Sequence, residues 1–186
     1  RDLLGFISYG YAQQLLRLDR IEEYLLFLYA HRYQVHTRGS WTAGEVSGIT
    51  GGMPLFCIPA QMTIPLLLRW MLVSDDSAGE QLFLARAVPR AWLGTGKTVG
   101  ITAAPTRWGT VTLTLQALPE QRRIDAQVVL PARSPQQTWL SMRPPHGTRL
   151  QRAEVDGKPA RLHGPHGDRV ALPGTGGTVS VQGWYG

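Results

Sequence analysis

Apolar residues set the first pattern along the chain. Leu15, Leu16, Leu18, Ile21, Leu25, Leu26 and Leu28 recur at three- and four-residue steps, the spacing of one face of a helix. The opening residues, RDLLGFISYGYAQQLL, read as a helix already in progress. Asp19 is placed to cap a second helix, with Glu22 and Glu23 in its first turn, where carboxylates meet the positive end of the helix dipole. That helix is expected over about residues 19–33. A glycine-rich loop follows, and Pro59 then suits the first turn of a third helix reaching about Leu72. Pro65 should kink this helix or shift its start. Its sequence, AQMTIPLLLRWML, is apolar nearly all round, as expected of a helix buried against others.

At Ser74 the period changes. SDDSAGE reads as a polar turn, after which the chain alternates in short runs: QLFLAR, TVGITAAP, GTVTLTLQAL, RIDAQVVLP, TWLSMR, LQRAEVDG, DRVALP and TVSVQGW. Turn signals separate them, which predicts an antiparallel β-sandwich of about eight strands. AVPRAWLGTGK, between the first two runs, reads as a short helical turn. The expected class is α+β, with helices over 1–74 and a sandwich over 75–186.

Composition narrows this picture. The chain has 186 residues, 43% of them hydrophobic, enough for one sizeable core or two small ones. Residues 1–74 carry 6 Arg against 5 acidic residues, whereas residues 75–186 carry 13 Lys and Arg against 8 acidic residues. The arginines of the basic half are scattered singly among strands and turns, so a solvated surface is a better account than a nucleic-acid interface. The single cysteine, Cys57, excludes an intramolecular disulfide and reads as a buried, inert thiol. The longest apolar runs are far too short to cross a bilayer, and no membrane partner is expected. The chain starts at Arg1 without an initiator methionine. It is therefore expected to be the C-terminal part of something longer, and a missing signal peptide says nothing of location. A periplasmic or extracellular setting is the one leaned to.

Three motifs invite chemistry and are better explained without it. GTGKT at Gly94–Thr98 carries the tail of a P-loop, but the leading glycine would have to stand where Ala91 is, and a strand follows instead of a helix. HGPHGD, with His163, His166 and Asp168, matches no recognised metal spacing and carries ordinary turn punctuation. APTRWG puts Arg107 and Trp108 at a turn, where the tryptophan is expected to pack against the helical layer.

HTRGSWTAGEVSGITGGMP, residues 36–54, is different. Glu45 stands between glycine and small residues, which lets a ligand approach the backbone. Trp41 offers a flat apolar face for the C–H face of a pyranose. Arg38, Thr37, Ser40 and Thr42 offer donors, and His36 and Tyr33 lie just upstream. A carboxylate, an aromatic platform and hydroxyl-binding groups are what a sugar-cleaving site needs. A structural loop, with Glu45 capping the next helix or paired to Arg38, accounts for the same residues equally well.

Four blocks in order carry a resemblance: HTRGSWTAGEVSG, PAQMTIPLLLRWMLV, LFLARAVPRAWLGTGKTVGITAAPTRWGTVTLTL and the end AEVDGKPARL…GTVSVQGW. Together they resemble the C-terminal end of bacterial six-hairpin glycosidase-like proteins, in which an (α/α)6 toroid is followed by a terminal β-sandwich. The resemblance implies that residues 1–74 are the last hairpins of the toroid and that Glu45 is a catalytic acid or base. It implies that Trp41, Arg38 and His36 contact a carbohydrate substrate. It also implies that the remaining toroid helices, in the same polypeptide or another chain, are partners. No cofactor or metal is implied. The chain departs from the pattern in supplying one loop carboxylate where glycosidases use two; the second acid is expected outside this sequence. The alternative is a non-catalytic carbohydrate-binding or structural sandwich module, using Trp108, Trp139 or Trp184.

Overall fold

The computed structural model describes residues 3–5, 7–37, 39–47, 56–76, 78–94, 97–174 and 176–186, with the side chains of Leu3 and Ser47 excepted. The fold is mixed α+β: helices first, then two β-sheets. The chain divides into two compact units, Arg1–Trp70 and Met71–Gly186.

In the first unit, β1 (Leu3–Leu4) pairs antiparallel with β2 (Val46–Ser47). The opening residues are therefore not helical, and α1 spans only Tyr9–Arg17. Helix α2 spans Ile21–Gln34 and α3 spans Ile58–Leu72. Asp19 does not cap α2. It takes a left-handed conformation (φ 60°) at the turn after α1, and Arg20 precedes the helix with its guanidinium on Glu23 at 2.8 Å. Glu22 and Glu23 do occupy the first turn of α2.

Helix α3 keeps one continuous span with Pro65 inside it, although proline supplies no N–H for the carbonyl four residues back. Its buried residues Ala60, Thr63, Ile64 and Leu67 share one face. Ile58, Met62, Pro65 and Leu68 form the opposite stripe and are exposed. The all-round apolar character of this helix is thus only half used within the described residues.

Tyr24 of α2 is fully buried, and its hydroxyl donates to the Leu67 carbonyl of α3 at 2.5 Å. Burial raises its phenol pKa far above the ordinary range. Tyr24→Phe deletes this inter-helix bond and is expected to cost about 1–2 kcal/mol, read as a lower urea midpoint at unchanged slope.

The second unit begins at the last turn of α3. The Ala85 and Ala87 N–H groups donate to the Leu72 and Met71 carbonyls, at 2.7 and 3.2 Å. Ser74–Asp76 are not a turn: they belong to β3 (Val73–Asp76), which pairs antiparallel with β4 (Gln81–Leu84). A short helix α4 (Arg90–Leu93) leads to β5 (Thr98–Thr106), β6 (Gly109–Leu118), β7 (Arg123–Leu130), β8 (Gln137–Ser141), β9 (Leu150–Val155), β10 (Lys158–Ala160), β11 (Arg169–Leu172) and β12 (Gly177–Tyr185).

These make a six-stranded sheet, β10-β9-β12-β7-β6-β5, and a four-stranded sheet, β11-β8-β4-β3. All pairings are antiparallel except β4 with β8, which run parallel. Val111, Leu113, Leu115, Ile124, Val128 and Val181 from one sheet share a core with Val73, Leu82, Leu84, Leu140 and Val170 from the other. The alternation that predicted eight of the strands is the same alternation that buries these side chains. Trp108 packs on this sandwich core, and the Thr106 hydroxyl accepts its N–H at 3.1 Å.

Candidate functional site

The site lies in the first unit, where α2 ends. Arg32 and Tyr33 occupy the last turn of the helix. The chain leaves it through Val35 and His36, and His36 bridges antiparallel to Ala43. Between them Thr37 and residues 39–42 are tied closely together. The Thr37 N–H donates to the Thr42 carbonyl at 2.8 Å and the Trp41 N–H to the Thr37 carbonyl at 3.2 Å. The hydroxyls of Thr37, Ser40 and Thr42 form a closed triangle with sides of 2.7, 2.6 and 3.0 Å. The sequence offered these three as donors to a ligand; the structure uses them to lock the loop.

The lock holds Trp41 in a left-handed conformation, φ 55°. For a bulky residue this costs on the order of 1–3 kcal/mol, and such strain persists where surrounding contacts impose it. Trp41 is 54% exposed, an open aromatic face.

His36, Trp41, Thr37, Gly39, Arg32 and Tyr33 line a cavity of about 240 Å³. The imidazole of His36 and the indole of Trp41 have centroids 6.3 Å apart. The Arg32 guanidinium lies 5.5 Å from the Tyr33 ring centroid, within range of a cation–π contact. His36 is only 8% exposed. Its Nδ1 stands 3.4 Å from the His31 carbonyl, a position from which it can only donate. In the neutral ring Nε2 is then an acceptor, and it is buried without a hydrogen-bond partner among the described residues. An orphaned buried acceptor beside an aromatic face is suited to a ring bearing a hydroxyl donor.

Of the four residues singled out from sequence, the cavity brings together His36 and Trp41. Glu45 follows them but is not among the residues lining it. Arg38 lies outside the described residues. Glu45 is half-buried and does not cap a helix, because β2 follows it directly. Its carbonyl accepts the Gly5 N–H at 2.7 Å. Cys57, expected to be buried, is half-buried beside Ala43, whose carbonyl accepts the Cys57 N–H at 3.0 Å.

His31 sits behind the cavity, 4% exposed, with its ring tilted against Phe27 at 4.2 Å. Nε2 faces the Ser8 hydroxyl at 2.8 Å and Nδ1 the Phe27 carbonyl at 3.3 Å. Burial lowers its pKa, and the neighbouring His36 adds to the effect, against a raising contribution from the Phe27 carbonyl. Folding therefore favours the neutral ring. A base with a depressed folded pKa leaves the unfolded chain binding more protons between the two values, so stability is full above the ordinary value of 6.5 and declines as pH falls below it. Thermal melts between pH 8 and pH 5 are expected to show this decline, and His31→Phe is expected to flatten it.

The remaining motifs resolve as turns. His163 bridges to Arg169 across HGPHGD, with Gly164 and Gly167 at positive φ, and its ring lies tilted against Trp139 with centroids 5.1 Å apart. Among the described residues no group of three or more His, Cys, Asp or Glu is placed to hold a metal ion. In GTGKT, Thr95 and Gly96 lie outside the described residues, and Thr98 opens β5. Trp184 is covered by the Arg152 guanidinium at 3.5 Å, and the Trp139 indole N–H donates to Gln81 at 3.0 Å.

No known family model and no curated protein matches the chain. Among solved structures it is similar to part of a GH127 β-L-arabinofuranosidase from Geobacillus stearothermophilus T6, with 12% identity, a TM-score of 0.34, and coverage of 68% of this chain and 18% of that one. It is also similar to part of α-L-fucosidase isoenzyme 2 from Paenibacillus thiaminolyticus, with 15% identity, a TM-score of 0.35, and coverage of 77% of this chain and 22% of that one. The chain spans about a fifth of the length of each.

Proposed function

We propose that this chain is the C-terminal part of a glycoside hydrolase, with Glu45 as general acid or base and His36, Trp41 and Arg38 as sugar contacts. The observation that carries the reading is the cavity at the end of α2, lined by the strained, open face of Trp41 and by His36, whose buried Nε2 has no partner among the described residues, a few residues ahead of Glu45. Its volume, below the about 300–1,000 Å³ of drug-sized pockets, suits one sugar ring better than an oligosaccharide.

The exposed stripe of Ile58, Met62, Pro65 and Leu68 supports further helices as partners. Among the described residues, thirteen large hydrophobic side chains are exposed and all but Val129 belong to the first unit, so the sandwich has covered its own core whereas the helices have not. The final hairpins of an (α/α)6 toroid would meet the missing helices along this stripe. In this reading the sandwich braces the toroid.

The test is glycoside turnover by the complete protein with and without Glu45→Gln, after its intact denatured mass has been measured from the native source. Turnover that survives the substitution overturns the role of Glu45. A native mass of 20.6 kDa with no co-purifying chain removes the rest of the toroid. It would favour a non-catalytic carbohydrate-binding or structural module instead.

A further inference from the structure

The sandwich unit holds a second cavity, of about 580 Å³, built from three segments far apart in sequence. Arg90 comes from α4. His146, Thr148 and Arg149 come from the approach to β9, and His166 and Asp168 from the turn before β11.

Each wall is fixed by main-chain bonds. The Thr148 N–H and hydroxyl both donate to the Pro145 carbonyl, at 3.2 and 2.7 Å, closing a turn with Gly147 at φ 81°. Arg149 exchanges two main-chain bonds with Gly186, at 3.0 and 3.1 Å. The Gly167 N–H donates to Gly164, and the Met142 N–H donates to the Asp168 carbonyl at 2.8 Å. Arg90 is held by its Nη1, which donates to the Pro144 carbonyl at 2.9 Å.

Asp168 is the informative member. It is 5% exposed and lines the cavity, and its main-chain carbonyl holds it there by accepting the Met142 N–H. A carboxylate accepts hydroxyl donors. Around it stand two permanent cations and two imidazoles, so the cavity as a whole favours an anion. A simple anion gains from the cations and loses to the carboxylate. A ligand that pairs a negative group with hydroxyls, a few bonds apart, satisfies both.

We propose that this cavity binds an acidic sugar, a ring carrying one carboxylate and several hydroxyls. The Arg149 fork takes the sugar carboxylate, with His146 and His166 as further donors, and Asp168 accepts ring hydroxyls. Arg90, anchored on Pro144, contributes fixed positive charge. The excess of basic residues over 75–186, read from sequence as solvated surface, then also draws the ligand in. The proposal is independent of the cavity at His36 and of any role for Glu45.

Calorimetric titration of the full chain with D-glucuronate, D-glucose and sulfate, at one ionic strength, tests it. Glucuronate is expected to bind at one site and glucose about tenfold or more weaker. Arg149→Ala is expected to weaken glucuronate by about ten- to a hundredfold. Asp168→Asn should weaken glucuronate while leaving sulfate unchanged or tighter. Arg149 and His166 are exposed, so Arg149→Ala and His166→Ala keep the test valid if Asp168→Asn melts early. Absent glucuronate binding, equal affinity for glucose, or binding untouched by these substitutions overturns the proposal. So does sulfate binding as tight as glucuronate and indifferent to Asp168, which reduces the cavity to a patch of positive charge.

Discussion

Glu45→Gln in the complete protein is expected to lower kcat for glycoside cleavage by about 10²–10⁴-fold, the range attributed to a positioned proton-transfer group. KM should change little, because an amide fills the same volume and keeps hydrogen-bonding capacity. The fold should be unaffected: Glu45 is tied to the rest of the unit by its main-chain carbonyl on Gly5, and the substitution retains that atom. The kcat–KM split separates this outcome from a structural role, which would move the melting temperature instead. A pH–rate profile should lose the limb assigned to Glu45. Among the described residues of the helical unit, the second carboxylate that glycoside cleavage requires has no evident source. Glu23 is bound to Arg20 on an exposed helix start, and Asp19 sits at a left-handed turn. Residual turnover above about a tenth of wild type would be too much for an acid or base worth the range above.

Much of the fold was legible because burial here follows simple periods. The runs GTVTLTLQAL and RIDAQVVLP became β6 and β7 with every second residue in the core. Two strands of the second unit escaped. Val73–Asp76 and Lys158–Ala160 are short and polar, and each lies at the edge of its sheet, where partners on one side only suffice and no alternation is needed. The parallel pairing of β4 with β8 is a tertiary fact without a local signature. Residues 3–4 fall in a stretch expected to be a helix already in progress, but pairing with β2, some forty residues away, decides their conformation.

The site was legible in composition and not in geometry. His36 and Trp41 line one cavity because the hydroxyls of Thr37, Ser40 and Thr42 tie the intervening chain together, and those hydroxyls look the same in sequence whether they bind a ligand or each other. Arg32 and Tyr33 were within reach of pattern reading, since the last turn of a helix faces the loop that leaves it. Asp168 was not: the turn residues around it gave no sign that Arg90 and Arg149 would converge on the same cavity.

Gly5→Ala is expected to damage both stability and turnover, through one methyl group. A Cβ at Gly5 would stand 2.7 Å from the Gly44 carbonyl oxygen, 2.9 Å from Ala60 Cβ and 3.2 Å from Val35 Cγ1. None of these can yield cheaply: one is backbone, one is the first atom of a side chain on α3, and the third belongs to the residue that ends α2. Gly5 also donates to Glu45 and accepts the Thr63 hydroxyl at 2.8 Å, so it joins β1, the Glu45 segment and α3 at one point. Overpacking of this kind costs about 1–3 kcal/mol. Any relief by moving Gly44 carries Glu45 with it, and a displacement of about 1 Å at a reacting group can cost on the order of a hundredfold in rate. Gly10→Ala supplies the contrast. Gly10 lies in α1 with nothing within 4 Å of an added Cβ, so alanine there should stabilise by about 0.5–1 kcal/mol and leave turnover alone. Melting temperature and kcat/KM of the two variants, measured side by side, should move in opposite directions for stability and only for Gly5→Ala in rate. If Gly5→Ala retains wild-type turnover, the Glu45 segment does not depend on this junction for its placement.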